Sequence, residues 1–194
     1  MQELICDPLK YNKDMKNTLL LILLLLSLPA FSQTDTVSKN KFDRVTEAYK
    51  KGKLGVQFPP LGSWRTLDNR GFDFNSFPQA TMIYVGSTTC TPCKVETPFL
   101  VKYAAAHPES NFVYLTDSDS AGIVKQHPEF ADGSLPANFF AVCIPLAYLS
   151  GYKLNFGYPT KWIVATDRIV KWIALGGSTQ DGSKFLKELD AQLK

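Results

Sequence analysis

"GSTTCTPCKVETP", residues 86–98, holds two cysteines separated by a threonine and a proline, with a glutamate and a second proline close behind. Cys90 and Cys93 admit three readings: half of a metal site, a structural disulfide, or a thiol pair that does chemistry. A zinc site wants four ligands, commonly two such pairs. Beyond the N-terminal segment the chain offers only Cys143, His107 and His127 as further ligands, none with paired spacing. A structural disulfide of this span closes a tiny loop and constrains the unfolded chain little. The third reading depends on the flanking elements. "TMIYV" (81–85) is an apolar run bounded by Gln79 and Gly86, as suits a buried central strand. After the cysteines, Val95, Phe99 and Tyr103 recur every four residues, predicting a helix that ends near His107-Pro108. The pair therefore falls between a strand and the helix that follows it.

The rest of the chain extends that alternation. "NFVYLT" (111–116) reads as a second buried strand and residues 121–127 as a second helix. "TKWIVAT" and "RIVKWIAL" flank Asp167 as two strands of a hairpin, and Phe185, Leu186, Leu189 and Leu193 mark a closing amphipathic helix. Upstream, residues 34–52 carry Phe42, Val45 and Tyr49 at helical spacing, and Asp68-Asn69-Arg70-Gly71 is a hairpin turn. "ANFFAVCIPLAYL" (137–149) is apolar enough for an extra buried element, and Cys143 within it reads as a buried free thiol. His107 and His127, each before a proline at a helix end, read as surface punctuation, and Trp64, Trp162 and Trp172 as strand packing. A C-x-x-C in a β-α-β setting is the sequence sign of a redox site.

The N-terminus points to export. Residues 19–26 are uninterrupted leucine and isoleucine, preceded by Lys16 and followed by the small-x-small site Ala30-x-Ser32. That is the pattern of a secretory signal, and the run is too short to span a bilayer. The expected organisation is a signal peptide over 1–32 (with Met15 the expected start), an N-terminal extension over 33–54 and one domain over 55–194. The protein is then expected to be periplasmic, soluble after cleavage near Ser32, and a monomer. Charges of both signs are scattered around a net +3, which implies neither nucleic acid nor an anionic membrane surface as partner. An oxidising compartment lets disulfides persist, but the three cysteines beyond residue 32 are too few for a disulfide-built scaffold.

Placed between strand and helix, Cys90 lies at a helix N-terminus, where unpaired N–H groups and the macrodipole favour the nucleophilic thiolate. Cys93, one turn further in, is near enough to resolve a mixed disulfide. Pro92 suits the first helical turn, which needs no N–H there.

Cys90-Thr91-Pro92-Cys93-Lys94-x-Glu96-x-Pro98, together with Gly157-Tyr158-Pro159-Thr160 ahead of a hydrophobic strand, resembles the thioredoxin superfamily. Within it, the likeness is to exported TlpA-like thiol–disulfide oxidoreductases. The resemblance implies an α/β thioredoxin-like fold with a central mixed sheet flanked by helices. An N-terminal β-hairpin extension and an insertion before the cis-proline strand would be added to it. It implies Cys90 and Cys93 as the redox pair, a redox-active disulfide in place of a cofactor, and no metal. Pro159 would be the cis-proline facing the disulfide, with Tyr158, Thr91 and Pro92 lining the partner groove, and Pro98 would kink the active-site helix. Glu96 matches the family's buried acid. It has two readings: a desolvated carboxyl with a raised pKa that accepts the Cys93 proton, or a solvated carboxylate in the first helical turn. Thr89 and Tyr158 depart from the usual residues at their positions. Tyr84 stands where the superfamily's central-strand aspartate would be, leaving Glu96 as the acid for that role.

The expected partners are protein thiols and disulfides, with a membrane electron donor behind them. Two rivals are a peroxiredoxin-type peroxidase and a thiolate copper chaperone. The first would want a proline where Ile83 stands; the second, a longer cysteine spacing and a histidine near Pro159. Nothing between the cysteines adds positive charge, so the expected direction is reduction of partners. Extreme oxidants, near ~−120 mV against ~−270 mV for thioredoxin, need a more strongly stabilised thiolate.

Overall fold

The computed structural model describes residues 32–76 and 78–193, so the expected signal sequence lies, up to residue 31, outside the described residues. Two compact units divide the chain, Met1–Val45 and Thr46–Lys194. Helix α1 (Ser32–Lys51) runs through the boundary between them. The remaining elements belong to the second unit.

A hairpin comes first, β1 (Ser63–Arg65) antiparallel to β2 (Gly71–Asp73), with Trp64 opposite Phe72. Then follow β3 (Thr81–Gly86), α2 (Thr91–Ala106), β4 (Asn111–Thr116), α3 (Ser120–Gln126) and a 3-10 turn, Pro128–Phe130. The insertion supplies β5 (Phe139–Cys143) and α4 (Leu146–Gly151). The chain closes with β6 (Thr160–Val164), β7 (Val170–Leu175) and α5 (Leu186–Leu193). The five longer strands form one sheet in the order β5-β4-β3-β6-β7. β3, β4 and β5 are parallel; β6 runs antiparallel to both β3 and β7. This is the expected central mixed sheet, with β3 in its middle.

Strand alternation distributes the core. Ile83, Val85, Val113, Leu115, Trp162 and Val164 join one apolar cluster, which also takes Phe72 and Phe74. Met82, Tyr84, Phe112, Tyr114 and Ile163 join the other, with Cys93, Leu100 and Ala104 of α2 and Leu189 of α5. Both faces of β3, β4 and β6 are buried, which is why these strands read as continuous apolar runs.

Two expectations change. The buried face of α2 is Cys93, Glu96, Thr97, Leu100, Tyr103 and Ala104, whereas Phe99 is exposed. Two polar residues occupy that face, so of the apolar stripe Val95, Phe99 and Tyr103 only Tyr103 lies fully on it. His127 is not surface punctuation but buried, stacked on Phe130 at 5.0 Å. Burial pushes its pKa down, while Glu129 beside it pulls the other way.

The end of α2 is held by the insertion. Asn138 Nδ2 donates to the carbonyls of Ala104, His107 and Ser110 at 2.9, 2.9 and 2.8 Å. The Ala104 and His107 carbonyls also accept from the His107 and Ser110 N–H groups, so Asn138 adds a second donor to the turns that end α2. Asn138→Ala is expected to lower stability by about 1–3 kcal/mol. Urea unfolding with an unchanged m-value is the measurement that checks it.

Candidate active site

β3 ends at Gly86, and a short turn delivers Cys90 to the start of α2. The turn is fixed by Cys90 N–H donating to the Ser87 carbonyl at 3.1 Å and by Thr88 N–H donating to Ser118 Oγ at 3.0 Å. Cys90 is the N-cap of α2, and its sulfur accepts from Cys93 N–H at 3.1 Å. The two cysteines form a disulfide with Cα atoms 5.2 Å apart. Cys90 retains 7% exposure and Cys93 none, so of the two residues only the outer one reaches solvent. The helix has no acidic residue in its first turn to oppose a thiolate there. Pro98 lies inside α2 and removes a backbone bond to the Lys94 carbonyl.

The Tyr158–Pro159 peptide bond is cis, and Pro159 is buried. Its strand, β6, pairs with β3 so that Thr160 lies opposite Val85. Pro159 is thereby level with Gly86, at the strand end from which the cysteine turn departs. Gly157, at φ 90°, supplies the left-handed residue the approach needs. Thr160 Oγ1 locks the turn, donating to the Gly157 carbonyl at 2.7 Å and accepting from Phe156 N–H at 3.0 Å. Tyr158 is half-buried and packs against both core clusters, including the one that contains the cysteines. Burial, helped by Asp117, pushes its phenol up to about 12. Thr91 is exposed and Pro92 half-buried beside Cys90.

Beneath the pair lies a group of charges. Glu96, in the second turn of α2, is 1% exposed, which removes the solvated reading of this carboxylate. Its Oε2 meets Lys161 Nζ at 2.9 Å, and Lys161 is itself 2% exposed. Tyr84 donates its hydroxyl proton to the same oxygen at 2.9 Å, and Ser178 N–H donates to Oε1 at 3.0 Å. Lys161 also donates to the Gly176 carbonyl at 3.0 Å. Burial pushes the Lys161 ammonium below its ordinary value, and Glu96 offsets part of that. Burial and the neighbouring carboxylate push the Tyr84 phenol far up, so it stays a donor. Gly177 permits the close approach of this loop: a Cβ there would sit 2.5 Å from Glu96 Oε1. Sequence reasoning missed Lys161. Its signal was parity, since Lys161 falls on the same strand face as the buried Ile163.

Cys143 ends β5 opposite Thr116, half-buried and free. His107 caps α2 with its ring stacked on Tyr103 at 4.0 Å.

Comparison with protein-family models and with curated proteins returns no match. Solved structures do match. A secreted Mycobacterium tuberculosis disulfide oxidoreductase is 18% identical with a TM-score of 0.53, over 70% of this chain and 96% of that one. A thiol:disulfide interchange protein of Chlorobium tepidum is 15% identical with a TM-score of 0.56, over 72% and 98%. StoA from Bacillus subtilis is 18% identical with a TM-score of 0.52, over 71% and 98%. At these identities the likeness establishes the fold, and the fold is thioredoxin-like.

Burial first, and then Asp119, pushes the Cys143 thiol up to about 11. At pH 8 only about one thiol in a thousand would then be ionised, and the thiolate is the reactive form. In the reduced protein, iodoacetamide should therefore modify Cys90 well before Cys143. The Cys143 rate should rise about tenfold per pH unit until pH approaches 11. Equal rates at pH 8, read by peptide mass, would show a thiol much more accessible than this.

Proposed function

We propose that the protein is an exported thiol–disulfide oxidoreductase that reduces disulfides in protein partners. The observation that carries this reading is the Cys90–Cys93 disulfide at the N-terminus of α2, level with a cis-proline turn, with Cys90 retaining 7% exposure and Cys93 none. Two structural neighbours, a secreted disulfide oxidoreductase and a thiol:disulfide interchange protein, support it.

In the reduced form, Cys90 thiolate attacks one sulfur of a partner disulfide, and the other partner sulfur leaves as a thiolate. Cys93 then gives its proton to Glu96 and attacks Cys90 Sγ. The Cys90–partner bond breaks, the partner leaves with that electron pair, and the Cys90–Cys93 disulfide forms. Two electrons have passed to the partner, and a membrane donor returns them. Helix N–H groups favour the Cys90 thiolate; the buried Cys93 needs an acceptor inside the protein. Glu96 is that acceptor in this reading: it lies one turn further along the buried face of α2. Thr91, Pro92, Tyr158 and Pro159 would contact the partner chain, with Tyr158 presenting backbone to an extended peptide. The disulfide itself is the only redox group the mechanism requires. Export rests on the signal-like residues 19–32, and no helix among the described residues is long and apolar enough to cross a membrane.

Cys93→Ala should trap partner proteins as mixed disulfides in periplasmic extracts, because nothing remains to release them, and Cys90→Ala should trap few. Glu96→Gln should slow release by about tenfold or more while sparing the first attack. Trapping by both cysteine variants, or by neither, would remove the attacking-and-resolving assignment and leave a structural pair.

A further inference from the structure

The mechanism above uses Glu96 but not the cation that touches it. Lys161 is the residue two beyond the cis-proline and faces Tyr84 directly across the β3–β6 ladder. A lysine is almost never fully buried unless paired, and this one is 2% exposed. Glu96 of α2 meets it at 2.9 Å, the Gly176 carbonyl accepts from it at 3.0 Å, and the Phe185 ring lies 4.6 Å from its Nζ. The remaining titratable groups that face it are the Tyr84 phenol from β3 and Glu188 from α5. The pair forms one wall of a cavity of about 400 Å³, whose other lining includes Ser178, Lys184 and Glu188. Lys184 and Glu188 are exposed, so the cavity gives the buried carboxylate a route to water.

We propose that Lys161 is a positioning residue for the resolving step: it holds the Glu96 carboxylate in place to take the Cys93 proton, which then leaves through the cavity beside them. The proposal rests on the disulfide-exchange reading. Its physical basis is that a buried carboxylate without a counter-charge avoids ionisation by keeping its proton. With Lys161 beside it, fixed by the Gly176 carbonyl, Glu96 has both a compensating charge and one defined orientation. Tyr84 and Ser178 N–H orient the same carboxylate but carry no charge. Lys161 acts entirely through Glu96, so its effect should vanish when Glu96 can no longer accept a proton.

The test uses the full-length chain with Cys6→Ser and Cys143→Ser as parent, so that Cys90 and Cys93 are its remaining thiols, reduced and mixed with dithiobis(nitrobenzoate) in a stopped-flow instrument. Cys90 attack releases one nitrothiobenzoate, and displacement by Cys93 releases the second, so the two phases separate attack from resolution. Lys161→Gln keeps a hydrogen-bonding side chain and removes the charge. It is expected to lower the ratio of second-phase to first-phase rates about tenfold at pH 7. Its second-phase profile should also move to higher pH. Glu96→Gln with Lys161→Gln is expected to match Glu96→Gln alone across the pH range, since the two positions act as one unit. That double variant removes both charges together and still carries the test if Lys161→Gln alone does not fold. A Lys161→Gln second-phase profile that superimposes on the parent's would overturn the assignment. So would a double variant whose profile departs from that of Glu96→Gln. A parent with no second phase at all defeats the exchange reading itself, and this proposal with it.

Discussion

A carboxylate and an ammonium, both almost without solvent and 2.9 Å apart, sit beneath the first turn of the central helix. Taking two such charges out of water costs several kcal/mol per ion, on the order recovered only when geometry and further hydrogen bonds are good. Here those bonds are present. Glu96 accepts from Tyr84, Ser178 N–H and Lys161, while Lys161 has the Gly176 carbonyl as a second acceptor. These contacts join α2, β3, β6 and the loop after β7 at one point. A buried ion pair is weak support for stability in itself, but one that is broken strands a charge in the interior. The four elements are thus held to a single arrangement, and the redox pair is built on one of them.

The sheet places that arrangement under the disulfide. β3 and β6 are antiparallel neighbours, and Tyr84 opposite Lys161 lies one residue from Val85 opposite Thr160. Alternation then sends Tyr84 and Lys161 toward α2, whereas Val85 goes to the far cluster. The same register that brings the cis-proline level with the cysteine turn therefore fixes the cation under the helix. A slip of one residue between β3 and β6 would reverse every side chain on β6. The proline turn and the buried pair would be lost together.

The fold was legible in the sequence because its strong signals are local. The apolar runs of β3, β4 and β6 are buried on both faces, and the cysteine and cis-proline turns carry residues with few alternative uses. What was less legible depends on long-range pairing. The buried face of α2 includes Glu96 and Thr97, whose partners lie on other elements, so hydropathy pointed to Phe99 instead. His127 looked like a helix terminator before proline, but the Phe130 ring covers it. Tyr84 was read as a buried strand residue standing where an aspartate was expected; in the structure it donates to the buried carboxylate of Glu96. Lys161 carried a parity signal, yet its acid partner is 65 positions away in sequence.

Burial divides the chemistry between the two cysteines. Cys90 caps the helix, where the backbone N–H of Cys93 reaches its sulfur, and a thiolate there needs no side-chain cation. Cys93 gains none of that: it is fully enclosed, so its proton has no direct path to bulk water. Among the described residues, Glu96 is the fully buried acid, and it shares the enclosed face of α2 with Cys93. A neutral interior around Cys93 would protect the reduced pair but leave resolution slow, since the thiol would have to ionise in a low dielectric. On the exchange mechanism proposed above, a compensated carboxylate one turn away would keep the thiol shielded and still give its proton an acceptor. Shielding of the inner sulfur and speed of resolution are opposing demands, and the Glu96–Lys161 pair is the feature of this fold that can reconcile them.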